Sequence, residues 1–453
     1  MRHRCAEFRP PGRAMEHDVT EAVTRLVFQL GIVLIAAKVG GEVAERWLKV
    51  PAVLGELGAG IIIGPYALGG MRIFGIGPLF EAATLGSAVP VPLELYAIAQ
   101  IAAVVLLFVA GLETDVRLFL RYAAPGTAVA VGGVLLPFLF GVAATVAFAP
   151  TLLGGPISWG DPRALFMGAT MTATSVGITA RVLSDLRRLD TAEGVTVLAA
   201  AVLDDVIGIL VLTVVVGISV AGTVSAGEVA VVGARALGFW LALTGVGLAV
   251  AGLVARALGA FRVSGAGVAL ALALALLAAG LAESFGLAMI IGAYSVGLAL
   301  SRTDLLRTLE SHLLGLYHAL VPVFFAVMGM LVDVRALGGA LVFGVVVTAL
   351  AIVGKVVGCG LPALGAGFNR RGAWRIGIGM LPRGEVALIV AGVGLTRGVI
   401  QEGLFGVAIL MTIVTTVLAP ILLVPAFRHG ASGRREKAPA APGEAEPGPD
   451  LPR

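Results

Sequence analysis

Two adjacent aspartates, Asp204 and Asp205, lie deep in the apolar run AAAVLDDVIGILVL. A carboxylate at that depth in a hydrocarbon-like segment is costly, and so is a functional candidate by default. Neighbouring helical positions point about 100° apart, given about 3.6 residues per turn. One acid can therefore face a water-filled path while the other faces a neighbouring helix. The plainer reading is a buried acid that only holds packing, and two acids side by side in an otherwise uncharged span weigh against it. The second candidate is Lys355 in ALAIVGKVVGCGL, one of four lysines in a chain with 32 Lys and Arg. A desolvated lysine can lose its proton near neutral pH, whereas arginine stays charged. Lysine thus suits a site that must release a proton as a cation enters. A permanent ion pair with Asp204 or Asp205 is the rival role, and the two roles can coexist.

Two further segments read as interrupted helices. Thr170, Thr172, Thr174 and Ser175 crowd into GATMTATSVGITA, closed by Gly177. Unwound carbonyls together with hydroxyl oxygens suit a hard cation such as Na⁺, although Ser and Thr also bond back to their own helix in membranes. In IGIGMLPRGEVALIVAG, Pro382 lacks an amide proton and interrupts the hydrogen-bond ladder, with Arg383 and Glu385 directly after it. Backbone that is not helical at such depth must be buried in protein or line a cavity. Arg383 and Glu385 read equally as a local structural clamp or as part of an ion path. Glu56, Glu94 and Glu283 are unranked: gates, interface anchors or packing partners.

The elements that must carry these groups are membrane helices. The chain has 453 residues, 58% hydrophobic and 13% charged, with a mean hydropathy of +1.01. A soluble chain of this length needs about a quarter of its residues charged, so most of this surface faces lipid. Sixty-three glycines fit close helix packing in a bilayer. Five histidines and two cysteines, Cys5 and Cys359, supply neither a metal or haem site nor a disulfide framework. No cofactor, enzymatic reaction or nucleic-acid partner is indicated. Apolar runs predict about thirteen spans of about 20 residues, centred near 30, 60, 102, 138, 172, 207, 242, 273, 292, 323, 350, 386 and 415. The fold class is an all-α polytopic membrane protein.

Basic residues set the expected orientation. With the N-terminus outside and the C-terminus cytoplasmic, the inner connections carry Arg46, Lys49, Arg117, Arg121, Arg181, Arg187, Arg188, Arg256, Arg262, Arg302, Arg307, Arg370, Arg371 and Arg375, and the tail adds Arg428, Arg434, Arg435 and Lys437. The outer ones carry Arg72, Arg163, Arg335 and Arg397, as the positive-inside rule asks. Arg2, Arg4, Arg9 and Arg13 disagree, which raises Met15 as an alternative start. Residues 1–18 are read as an unstructured head, 19–428 as the transmembrane domain, and 429–453 as a disordered cytoplasmic tail too polar to bury a core. Two three-helix units, each with its middle helix interrupted, fit an inverted repeat whose broken helices cross at the bilayer midplane.

Glu56 in VLGELGAGIIIGP, then TATSVGITARVL, AAAVLDDVIGILVL, GKVVG and MLPRGEVALIVAGVGL together resemble the signature segments of bacterial monovalent cation:proton antiporters, closest to the NapA-like Na⁺/H⁺ branch. The resemblance runs from about residue 25 to 427. It implies a homodimer in the cell membrane, with a scaffold and a six-helix core (about 125–219 and 337–427) that moves to alternate access. It implies that Asp205 binds the cation beside Thr174 and Ser175, that Asp204 pairs with Lys355, and that Glu385 assists. Na⁺ or Li⁺ would exchange for H⁺, with net charge moved. The alternatives are a K⁺/H⁺ antiporter of the same fold and a cation channel. Potassium-efflux relatives show Gln-Asp where this chain has Asp204-Asp205, which favours Na⁺. An intramembrane aspartyl protease would need a Gly-x-Gly-Asp segment that this chain lacks.

Overall fold

The structure, a computed structural model, describes residues 11–48, 50–71, 78–80, 91–221, 226–332, 341–428 and 432–435. Lys49, Arg72, Arg335 and Lys437 of the orientation argument lie outside the described residues, as do residues 1–10 of the head.

Helices α1 (Pro11–Glu42), α2 (Ala52–Ile63) and α3 (Leu93–Leu112) come first, followed by α4 (Val116–Leu152). The span expected near 172 divides into α5 (Pro162–Thr172) and α6 (Val176–Asp185). Helices α7 (Ala192–Ala221), α8 (Ala226–Gly259), α9 (Ala266–Ser284), α10 (Met289–Leu300) and α11 (Leu306–Met330) follow. After α12 (Leu341–Gly365), the span expected near 386 divides into α13 (Arg370–Gly379) and α14 (Glu385–Thr396), and α15 (Glu402–Arg428) ends the series. Among the described residues, ten helices are long and apolar enough to cross a membrane, and no strand occurs. The chain is a helical, multi-pass membrane protein.

Packing sorts the helices into two groups. Helices α4, α5, α7, α12, α13, α14 and α15 contact one another, while α1, α2, α3, α8, α9, α10 and α11 form a second set. Helix α6 touches both, lying on α15 and α7 on one side and on α2 and α3 on the other.

Small residues bring α4 against its two neighbours. A Cβ on Gly132 would collide with the Gly358 carbonyl of α12, and one on Gly126 would come within 2.9 Å of the Ala199 Cβ on α7. Such contacts allow backbones to approach to near touching distance. Because α4 is shared, they set α7 and α12, and hence Asp204 and Lys355, at a short fixed separation.

The tail departs from its expected disorder at one place. The Asn369 side-chain amide donates to Ser432 O and Arg434 O, both at 3.0 Å. The Asn369 backbone N–H donates to Gly433 O at 2.8 Å. The Arg434 guanidinium lies 5.0 Å from the Tyr122 ring and 5.5 Å from the Phe368 ring. Composition speaks for the tail as a whole and missed a four-residue strap whose backbone finds partners at the α12–α13 turn.

Candidate functional site

The two breaks meet in the middle of the bundle. Helix α5 ends at Thr172 and α6 starts at Val176; α13 ends at Gly379 and α14 starts at Glu385. The two interrupted helices bond to each other at their breaks: Ser175 N–H donates to Pro382 O at 2.8 Å, and the Thr179 hydroxyl of α6 donates to Gly379 O at the end of α13 at 2.6 Å. Pro382 explains one break, since it cannot donate to the ladder. The other break places Ser175, a residue that favours caps, at the start of α6. Two helix C-termini (α5, α13) and two N-termini (α6, α14) thus present opposite partial charges to one small volume.

Around this crossing stand the groups singled out in the sequence. Lys355 Nζ donates to Asp204 Oδ1 at 2.9 Å, and the two residues are 0% and 2% exposed. Arg383 is wholly buried, its Nη2 donating to Met171 O at 2.6 Å, and the Thr416 hydroxyl donates to Arg383 O. Arg383 therefore ties the loop before α14 to the end of α5. The side chain of Glu385 lies outside the described residues.

Asp205 is half-buried and lines a cavity of about 270 Å³ together with Asp204, Thr172, Gln100, Glu283 and Met289. That volume holds several waters, so Asp205 is the acid of the pair that meets solvent. On its other side Asp205 borders a void of only about 10 Å³ closed by Leu107, Val176, Leu198, Val202, Ile290 and Tyr294. Beyond that apolar seal, at the opposite end of α3, a second cavity of about 620 Å³ is lined by Glu113, Asp185, Asp190, Glu310 and His318. The acid pair thus borders a cavity of about 270 Å³ on one side, and Asp205 borders a nearly filled apolar contact on the other.

The hydroxyls divide between roles. Thr170 and Thr172 bond back to Phe166 O and Ala169 O, each at 2.8 Å, the self-satisfaction typical of apolar helices. The Thr174 hydroxyl reaches Met380 O at 3.4 Å across the crossing. Ser175 lines a different cavity of about 40 Å³ with Arg383 and Thr416, away from the one containing Asp205. Thr172, rather than Thr174 or Ser175, is the hydroxyl-bearing residue of α5 and α6 that shares the cavity with Asp205. Thr179, Thr416 and the Met171 carbonyl were not singled out in the sequence. A lone threonine in a helix carries no sequence signal of a partner 200 residues away.

Residues 32–429 match the profile of the family described as sodium/hydrogen exchanger, transmembrane. The chain belongs to that family. Family membership makes it a transporter with an antiporter's architecture. It is 32% identical over 412 residues to the Na⁺/H⁺-K⁺ antiporter GerN of Bacillus cereus, covering 91% of this chain and 98% of that one. It is 33% identical over 441 residues to the high-affinity Na⁺/H⁺ antiporter NhaS3 of Synechocystis, covering 92% of each. Its fold is similar to that of the sodium proton antiporter MjNhaP1 of Methanocaldococcus jannaschii. The TM-score is 0.61 at 20% identity, covering 90% of this chain and 99% of that one.

Proposed function

We propose that this exchanger carries Na⁺, or Li⁺, against H⁺ across the cytoplasmic membrane by alternating access. The observation that carries the reading is the position of Asp205, lining a cavity of about 270 Å³ next to a fully buried Lys355–Asp204 pair. Two carboxylates with one ammonium in a low-dielectric site cannot all hold charge without compensation. In the empty site Lys355 balances Asp204 and a proton balances Asp205. An entering Na⁺ takes Asp205, with Thr172, which shares its cavity, on the ion path. The proton leaves because both ions compete for the same oxygens. Carriage of two protons per Na⁺, the second from Lys355, makes the cycle electrogenic.

The bundle that holds α5, α7, α12 and α13 is the moving core, and the other set is the scaffold through which two copies pair. The ten long helices, α10 and the two broken helices make thirteen spans, with the N-terminus outside and the C-terminus cytoplasmic. A K⁺/H⁺ reading of the same fold is the alternative; the name of GerN, which couples K⁺ with Na⁺/H⁺, favours testing it. Purified protein in proteoliposomes tests the proposal through Na⁺-triggered proton movement, compared with Asp205→Asn across pH. Saturable exchange that disappears in the variant supports it. No proton movement with Na⁺, Li⁺ or K⁺ in folded native protein overturns it.

A further inference from the structure

Glu283 is a carboxylate within the membrane domain that the site described above leaves without a task. It stands near the end of α9, is exposed, and lines the same cavity of about 270 Å³ as Asp205. The two acids belong to different groups of helices. Helix α9 packs on α3, α8, α10 and α11, whereas Asp205 rides on α7. Glu283 also lies below the membrane surface. Helix α10 follows α9 through a turn with Gly286 at φ +84° and has only 12 residues before the charged connection containing Arg302 and Asp304. Twelve residues give about 18 Å of helix, against about 30 Å of hydrocarbon. The turn between α9 and α10 is therefore sunk within the thickness of the bilayer, where Leu287, Ala288 and Met289 also line the cavity.

A charge at that depth persists only with a partner or a function. Among the described residues Glu283 has no ion-pair partner. The neighbouring Arg235 is engaged elsewhere: its Nη2 donates to Ser284 O at 3.2 Å, and its guanidinium lies 5.0 Å from the Phe285 ring centroid. The Met289 N–H at the start of α10 bears on the Glu283 carboxylate. That contact anchors the acid at the cavity wall and leaves acceptor sites over, since an ionised carboxylate offers about four. Gln100 of α3, in the same group of helices, adds an amide to the lining.

We propose that Glu283 is the half of the cation site that does not travel. It receives Na⁺ in the cavity, passes it to Asp205, and stays with the scaffold when the core moves. Its charge gathers cations in the cavity, and its oxygens hold the ion until Asp205 has taken it. Glu283 therefore acts on one face of the membrane only, the face at which α3 begins and α9 ends. It sets the Na⁺ concentration needed on that face. The inference rests on the exchange reading above. A plain cap for α10 would act through stability and on both faces alike.

The test measures Na⁺-driven proton movement by full-length protein at alkaline pH, in right-side-out and in inverted membrane vesicles of a host without exchange of its own. Glu283→Gln should raise the half-saturating Na⁺ concentration about tenfold when Na⁺ is added on the cavity face. On the other face the concentration should not change, and the maximal rate should not fall. Glu283→Asp should stay closer to the native protein than Glu283→Gln does. No rise, an equal rise on both faces, a loss of maximal rate, or an Asp variant no better than the Gln variant overturns the proposal. Charge exchanged after folding removes any contribution from folding. In a Cys5→Ser background, with Cys359 buried, Glu283→Cys is modified by thiosulfonate reagents of similar size and opposite charge. The anionic adduct should lower the half-saturating concentration on the cavity face and the cationic adduct should raise it; equal effects overturn the proposal. Native protein that moves no protons with Na⁺, Li⁺ or K⁺ overturns the exchange reading and the role of Glu283 together. Native exchange on which the Glu283→Gln curves superimpose overturns the role of Glu283 alone.

Discussion

Lys355 Nζ lies 2.9 Å from Asp204 Oδ1, with both side chains sealed from solvent at 0% and 1% exposure. The pair joins α12 to α7 across the face of α4, so it closes the core between its two three-helix units. Removing one partner of a buried pair leaves an uncompensated charge, a loss of about 3–5 kcal/mol. Lys355→Ala should therefore lower the melting temperature of the detergent-solubilised protein sharply. Asp204→Asn combined with Lys355→Met, which removes both charges, should recover most of it. A single variant as stable as the native protein refutes a structural role for the pair.

Asp205 differs from that pair in exposure, being half-buried at the wall of the cavity. Asp205→Asn should leave the melting temperature within the range of an ordinary polar substitution while abolishing exchange. Thermal unfolding and proton movement measured on one preparation separate the two effects. A large loss of stability would place Asp205 in the packing rather than on the ion path.

Thr179 on α6 donates to Gly379 O at the end of α13, a bond of 2.6 Å between the two broken helices. Thr179→Val keeps the shape and removes the donor, leaving a buried carbonyl unmet. The expected cost is about 1–3 kcal/mol, read as a lower melting temperature, whereas Thr179→Ser should retain the bond and most of the stability. Equal loss in both would assign the effect to the missing methyl packing instead.

Asp161 caps α5 through Arg163 N–H at 2.9 Å and pairs with the Arg163 guanidinium at 2.8 Å. The Arg163 hydrogen bonds hold its carboxyl below the usual carboxylate range. A depressed folded pKa means that the cap contributes in full above the unfolded value, about pH 4. The contribution is lost as pH falls through the folded value. Asp161→Asn keeps a good capping residue but loses the charged pair with Arg163, so it should cost at most about 1 kcal/mol at neutral pH and remove that part of the acid sensitivity. Melting temperatures of both forms from pH 7 down to acid should converge.

The strap at Ser432–Arg435 gives a smaller effect. Arg434 reaches the Tyr122 hydroxyl at 3.1 Å and lies over the rings of Tyr122, near the start of α4, and Phe368, just past α12. Arg434→Ala should increase protease cleavage after Arg428 with little change in exchange. Unaltered cleavage would mean that the strap is held by its backbone bonds to Asn369 alone.

Much of the site is legible in the sequence because lipid makes polarity informative. Asp204, Asp205 and Lys355 stand out in apolar runs, since a charge there persists only with a partner or a function. Pro382 and the run Thr170–Ser175 announce the two breaks, because proline lacks a donor and clustered hydroxyls compete with the ladder. Those signals are local, and the runs that contain them also yield the helices, each of which satisfies its own backbone in lipid. What each charge faces is not local. That Lys355 meets Asp204 while Asp205 lines the cavity depends on the rotation of α7 against α12, which the small-residue contacts through α4 decide. That Ser175 turns to a different cavity depends on how the two unwound segments cross. The sequence alone established a membrane transporter with an acid pair, a lysine and two interrupted helices. Only the tertiary structure decided that Lys355 meets Asp204, that Asp205 and Thr172 share one cavity, and that Thr179 reaches Gly379, because those facts arise between helices far apart in the chain.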